Sequence, residues 1–350
     1  MRTYTSFAAL GLFFAALSTG CSGDGDNGGS TASTGGQTAG STPVTTAIGG
    51  TSTVQTNPST GVSNGGAGSN SNGSANGGSS AAATSGTTSA NTGGSSSNLA
   101  KVDCTDTSTK KSTLKGQYSG TTLEVTDKEK VYEAATNWWH KFTVQTVTID
   151  GLGFTVGNSD NLAVPSTDGA PMGYPTLYVG SYAGSTGKGS NLPKLVSDLT
   201  SVPTIFDTNA LDFDNSNYNA AYDVWFTATQ DPLPETQYNP GKGGAYLMVW
   251  LYDPSGRQPR GKNQHPAHTV EGVPGTWDVW IDPSDPPCIS YLSTEPLNGL
   301  AFDLNAFIQD NVKNGYGVKS SMYLSVVFAG FEIWGGGDGL QLKQFCADVK

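Results

Sequence analysis

"GAYLMVWLY", residues 244–252, alternates two kinds of apolar side chain with a period of two. Tyr246, Met248, Trp250 and Tyr252 fall on one face of an extended chain, and Leu247, Val249 and Leu251 on the other. A strand apolar on both faces belongs to the interior of a sheet. A face of Trp, Tyr and Met is either half of a sheet–sheet core or the floor of a cleft, and for most aromatic strands it is core.

The same alternation recurs on both sides of this stretch. It is found in "KFTVQTVTID" (141–150), "PTLYVGSY" (175–182), "YDVWFTAT" (222–229), "TWDVWID" (276–282), "CISYLST" (288–294), "MYLSVVF" (322–328) and "LQLKQFCADV" (340–349). These runs are rich in Val, Tyr, Trp, Phe and Thr, as strands are, and turn clusters such as "DPSGRQPRG" and "DPSDPP" separate them. Only "GLAFDLNAFIQDNVKNG" (299–315) reads as a helix, with Leu300, Leu304, Phe307 and Ile308 on one face and Gly315 as its stop. Many strands and one helix predict an all-β domain, a two-sheet β-jelly roll of concanavalin-like sandwich type with one short helix.

That domain occupies 101–350, which holds all seven Trp. Residues 1–20 read as a signal peptide: Arg2, an apolar run of about a dozen residues, then small residues. The run is too short to cross a membrane, which takes about 20 apolar residues. It ends at Cys21 in "LSTGC", which resembles a bacterial lipoprotein box and marks Cys21 as a lipidation candidate. Residues 21–99 form a Gly/Ser/Thr linker without apolar surface to bury, a tether spanning roughly 50 Å root-mean-square. The expected location is outside the cytoplasm, as a cell-surface or outer-membrane lipoprotein or as a secreted protein. With Cys21 set aside, Cys104, Cys288 and Cys346 remain, and one disulfide plus one free thiol is the simplest expectation. Which two pair is not legible.

The net charge of −11 argues against nucleic acid and against anionic membrane surfaces, and is compatible with a neutral polymer. "GSTGKGS" (184–190) lacks the Ser or Thr after Lys188 that a phosphate loop requires. His265 and His268 lie in a Pro-flanked loop without a third ligand nearby, so no metal site is expected. "DFDNSN" (212–217) has Asn217 where a calcium loop needs Gly, and reads as a polar turn. No G-x-S-x-G supports a serine triad.

What remains is carboxylates among aromatics. In "AYDVWF", Asp223 shares a face with Trp225; in "FEIW", Glu332 shares a face with Trp334. Acids are seldom buried without a partner, so an acid on an aromatic face is a site candidate.

The ordered series "TNWW" (136–139), "SVPT" (201–204), "NYNAAYDVWF" (217–226), "LMVWL" (247–251), "FDLNAFIQD" (302–310) and "FEIWGGGDGL" (331–340) resembles glycoside hydrolase family 12, endo-β-1,4-glucanases and xyloglucanases. The resemblance covers about 115–350. It implies a jelly roll with an open concave cleft for a β-1,4-glucan and a retaining mechanism run by two glutamates, without a cofactor. It implies Glu332 as acid/base, Asp223 as the acid touching the nucleophile, Trp139 as a sugar platform, and Met248, Trp250 and Trp334 as further substrate contacts. The nucleophile belongs to a motif of the form E-[LI]-M-[IV]-W. Aligned on it, "YLMVW" puts Tyr246 at the glutamate position, with Met248 and Trp250 in register. A one-residue slip would turn the whole strand over.

Three readings stay open. The chain is a monomeric glucan-binding protein with no useful hydrolysis. Alternatively it hydrolyses by a changed route, with Asp223 as base toward water or Tyr246 as nucleophile. Or its fold serves as a scaffold or adhesin. Tyr246 is expected to fill the space of the missing glutamate, with its hydroxyl bonded to Asp223.

Overall fold

The computed structural model describes residues 104, 111–117, 120–125, 130–138, 145–158, 170–213, 217–235, 237–253 and 257–350. The signal peptide, Cys21, the linker and Trp139 lie outside the described residues.

In chain order the strands are β1 (Lys111–Lys115), β2 (Gly120–Val125), β3 (Lys130–Ala135), β4 (Thr146–Asp150), β5 (Gly153–Gly157), β6 (Thr176–Tyr182), β7 (Ser185–Thr186), β8 (Lys194–Leu195), β9 (Pro203–Thr208) and β10 (Asn217–Tyr218). There follow β11 (Ala220–Thr227), β12 (Ala245–Tyr252), β13 (Lys262–His268), β14 (Trp277–Asp282), β15 (Cys288–Ser293), β16 (Gly299–Asp303), helix α1 (Leu304–Asn314), β17 (Tyr323–Gly330), β18 (Ile333–Gly335) and β19 (Gln341–Ala347). They form two large sheets, the two-sheet sandwich expected. The smaller runs β1-β4-β5-β19-β9-β16 and the larger β13-β14-β15-β12-β11-β17-β6-β3-β2, with β7 on β6 and β8 on β17. A β10–β18 pair stands apart. All pairs are antiparallel except β12 with β15.

The core lies between the sheets and uses one side of each strand. From the larger sheet come Tyr222, Val224 and Phe226 of β11 and Leu247, Val249 and Leu251 of β12; from the smaller come Val147, Ile149, Phe154, Phe206 and Phe345. The ring of Phe206 meets Tyr222 edge-on at 5.1 Å. Each such buried side chain contributes about 1.5–3 kcal/mol of transfer free energy.

The predicted helix over 299–315 splits. Its first five residues are β16, and only Leu304–Asn314 is helical. Asp303 decides the boundary: extended itself, it accepts the Asn305 N–H at 3.0 Å and caps the helix. Gly315 closes the far end at φ 69°, in the left-handed region that glycine adopts without strain. Phe307 docks the helix on Trp277 and Tyr291, both 4.9 Å away. The supposed loop carrying His265 and His268 is strand β13, an edge strand exposed along almost its whole length. It shows no apolar alternation because neither of its faces is buried. Cys104 is bonded to Cys346. No cysteine among the described residues is a free thiol, contrary to the expectation of one.

Candidate active site

The side of the larger sheet turned away from the core carries a second apolar cluster. It comprises Tyr174, Tyr178, Ala221, Trp225, Leu233, Tyr246, Met248, Trp250, Cys288, Val326, Phe328 and Trp334. Period-two geometry explains it: the residues between the core-facing ones must point the other way. On β12 that sorts Tyr246, Met248 and Trp250 onto this outer face and the aliphatic residues into the core. The aromatic face of the opening stretch is therefore a floor of buried side chains separate from the sandwich core.

Asp223 lies in the middle of this floor, opposite Met248 on β12 and Phe328 on β17. Tyr246 lies opposite Trp225, which makes it the diagonal neighbour of Asp223, about 7–8 Å away across the strand pair. Its ring meets Trp225 edge-on at 5.7 Å. Glu332 follows β17 and is 2% exposed. Asn219, between β10 and β11, clamps it: the Asn219 Nδ2 donates to Glu332 Oε2 at 2.5 Å, the Glu332 N–H donates to Asn219 Oδ1 at 3.0 Å, and the Asn219 N–H donates to the Glu332 carbonyl at 2.9 Å. Tyr174, whose hydroxyl donates to the Ala221 carbonyl at 2.8 Å, is held protonated mainly by burial and further by the charges of Asp223 and Glu332. The structure thus brings Glu332, Asp223 and Tyr246 to one face.

The electrostatics differ from residue to residue. Burial pushes Asp223 up from the usual carboxylate range to about 8; the side chain of Trp225 opposes this, and the negative charge of Glu332 adds to it. Asp223 Oδ1 is buried without a hydrogen-bond partner. Burial also raises the Tyr246 phenol, Asp223 reinforces the rise, and Arg260 opposes it. The expected bond between the Tyr246 hydroxyl and Asp223 is not made: the register sets the two residues diagonally, about 7–8 Å apart, and the Tyr246 ring packs edge-on against Trp225.

Met248 and Trp250 sit on the floor, 1% and 0% exposed. Trp250 packs on Trp334 with ring centroids 6.3 Å apart, and the Arg257 guanidinium lies over Trp334 at 5.1 Å, a cation–π contact. A ligand reaching that face of Trp334 has to displace the guanidinium. Asn219, Tyr174 and Arg257 escaped sequence reasoning. Asn219 stood within a quoted motif, but nothing in one chain says that its side chain reaches a residue more than a hundred positions away.

Residues 116–350 match the family model for glycosyl hydrolase family 12. The chain belongs to glycosyl hydrolase family 12. A curated relative, "Probable cellulase Cel12b" of Mycobacterium tuberculosis, is 31% identical over 162 residues, covering 46% of this chain and 99% of that protein. "Endoglucanase S" of Pectobacterium parmentieri is 28% identical over 204 residues, 53% of this chain and 69% of that one. Among solved structures, endoglucanase cel12A from Rhodothermus marinus superposes with a TM-score of 0.58 at 30% identity, over 68% of this chain and 99% of that one. The sandwich is therefore the family 12 jelly roll, and the protein is cellulase-like. The family 12 match begins just after β1 and runs to residue 350, so it takes in the whole larger sheet with its floor and all of the smaller sheet except β1.

Proposed function

We propose that this family 12 domain binds a neutral β-1,4-glucan along the aromatic floor and hydrolyses it far more slowly than a cellulase does. What supports the reading is that Tyr246, which the motif alignment puts at the nucleophile position, lies on the floor diagonal to Asp223 and next to Trp225. A retaining glycosidase needs two carboxyl groups about 5–5.5 Å apart, one of which bonds to the sugar. Tyr246 offers a phenol instead. Burial and the charge of Asp223 keep that phenol protonated. Asp223, at about 8, is too weak a base to take its proton. Loss of a covalent nucleophile lowers turnover on the order of a million-fold, roughly 8 kcal/mol. Stacking on rings and hydrogen bonds to hydroxyls do not depend on that group.

One observation favours a second reading. Asp223 Oδ1 is unpartnered, so Asp223 can accept from a water once ionised. Inverting hydrolysis by this route rises with pH through about 8.

The test is a paired assay of binding and reducing-end release on one xyloglucan preparation, with wild type and Tyr246→Glu. Binding without release by wild type, and release gained by orders of magnitude in the variant, is the expected result. No gain in a folded variant that still binds glucan refutes the assignment of Tyr246 to the nucleophile position. Wild-type release that grows through pH 8, with inverted product by NMR, selects the second reading.

The same proposal extends to context. The protein acts as a monomer outside the cytoplasm, secreted by a cleaved leader and carrying the Gly/Ser/Thr segment before its domain; what supports this is the apolar run of residues 2–20 and the linker composition. Mass spectrometry of the exported protein tests it: a chain that retains residues 1–20 rules the cleaved leader out.

A further inference from the structure

The floor has an outer end that the acid pair does not use. From Asp223 the register runs to Phe328, then Tyr178, then Glu133 on β3. Three strand steps put Glu133 about 14 Å from Asp223. Its side chain shares the parity of Ala135, which packs against the floor cluster, whereas Tyr132 and Ala134 face the core. Two hydroxyls hold the carboxyl group: Tyr178 donates to Oε2 at 2.5 Å, and Ser185 donates to Oε1 at 3.0 Å. No Lys or Arg among the described residues pairs with it. A carboxylate has about four acceptor positions, so two remain, on a side chain that is only partly buried.

A second observation lies beside it. Tyr238 is 38% exposed, one of two exposed large apolar side chains among the described residues. Its ring meets Tyr182 at 6.3 Å, and Tyr182 in turn meets Tyr178 at 5.5 Å. The loop bearing Tyr238 is fixed against the turn between β6 and β7, where the Gly184 N–H donates to the Leu233 carbonyl at 2.6 Å. The hairpin that supplies Ser185 thus also positions the exposed ring.

We propose that Glu133 and Tyr238 form an outer sugar subsite at the β3 end of the floor. Tyr238 offers an aromatic face for a pyranose ring, and the spare acceptors of Glu133 take two neighbouring hydroxyls of the same residue. Tyr178 and Ser185 are positioning residues that aim the carboxylate. The subsite selects neutral sugar residues and rejects those bearing a carboxylate, which Glu133 repels. This rests on the reading of the floor as a glucan trough, and it adds that affinity depends on chain length.

The experiment is titration calorimetry of the full chain with cellotriose, cellotetraose, cellopentaose and cellohexaose, for wild type, Glu133→Ala, Glu133→Gln and Tyr238→Ala. The expected result is affinity that climbs along the ladder in wild type. Glu133→Ala and Tyr238→Ala each lose about tenfold on cellohexaose and stay within about twofold on cellotriose. Glu133→Gln recovers part of the loss. A wild type that climbs the ladder together with variants that climb it equally overturns the subsite. So do variants weakened equally on every sugar together with a lower melting temperature, which is the mark of a structural role. A wild type that binds none of the four sinks the trough reading itself, and the subsite with it.

Discussion

Asp223→Asn isolates the least comfortable group in the molecule. Asp223 is buried at 5% exposure and its carboxyl titrates near 8 rather than 3.8. In the unfolded chain it ionises as an ordinary aspartate, so between these two values the unfolded state gains stability from losing a proton that the folded state keeps. The folded state's full stability is present below about pH 4 and is lost progressively as pH rises to about 8, after which the loss is constant. About 4 units at 1.36 kcal/mol each give about 6 kcal/mol above pH 8, and about 3 kcal/mol at pH 6. For a domain of this size 1 kcal/mol moves Tm by about 2–4 °C. This one residue thus lowers the wild-type Tm by about 6–12 °C between pH 4 and pH 6, whereas Asn at 223 does not titrate. Thermal melts of both proteins from pH 4 to pH 9, followed by circular dichroism, give the difference in Tm. It is expected to widen up to pH 8 and then level off. Curves that stay parallel across the whole range would falsify the picture of Asp223 as a desolvated acid on the cleft floor.

Two further perturbations bear on the frame around the site. Asn219→Leu removes two side-chain hydrogen bonds to Glu332 and is expected to lower the unfolding free energy by about 3 kcal/mol; a urea titration showing less than about 1 kcal/mol would mean that the clamp does not hold Glu332. Replacing Cys104 and Cys346 together by Ser opens a closure 242 residues long, expected to cost about 5.5 kcal/mol in the chain-entropy account. A Tm unchanged by the double replacement contradicts a structural role for this bond.

Much of the fold was legible because burial writes itself into alternation. β11, β12, β14, β15 and β17 are interior strands of the larger sheet, and their Val, Leu, Trp and Tyr residues repeat with period two. β13 and β16 were misread for the opposite reason. An exposed edge strand has no face to bury, and β16 runs directly into a helix whose apolar spacing extends back across the boundary. The boundary depends on a single side chain, Asp303, bonding to the backbone two residues on.

The sequence by itself determined that an acid would sit among aromatics at 223 and another at 332. Local pattern suffices for that, because the side-chain period of a strand assigns each residue to a face. Only the tertiary structure decided that the aromatic face of β12 is a floor separate from the sandwich core. It alone brought Asn219 onto Glu332, left Asp223 Oδ1 unpartnered, laid Arg257 over Trp334 and set Glu133 at the end of the same row. Each of these joins segments far apart in the chain, and the contact that fixes it is made by packing, to which no local run of residues is sensitive.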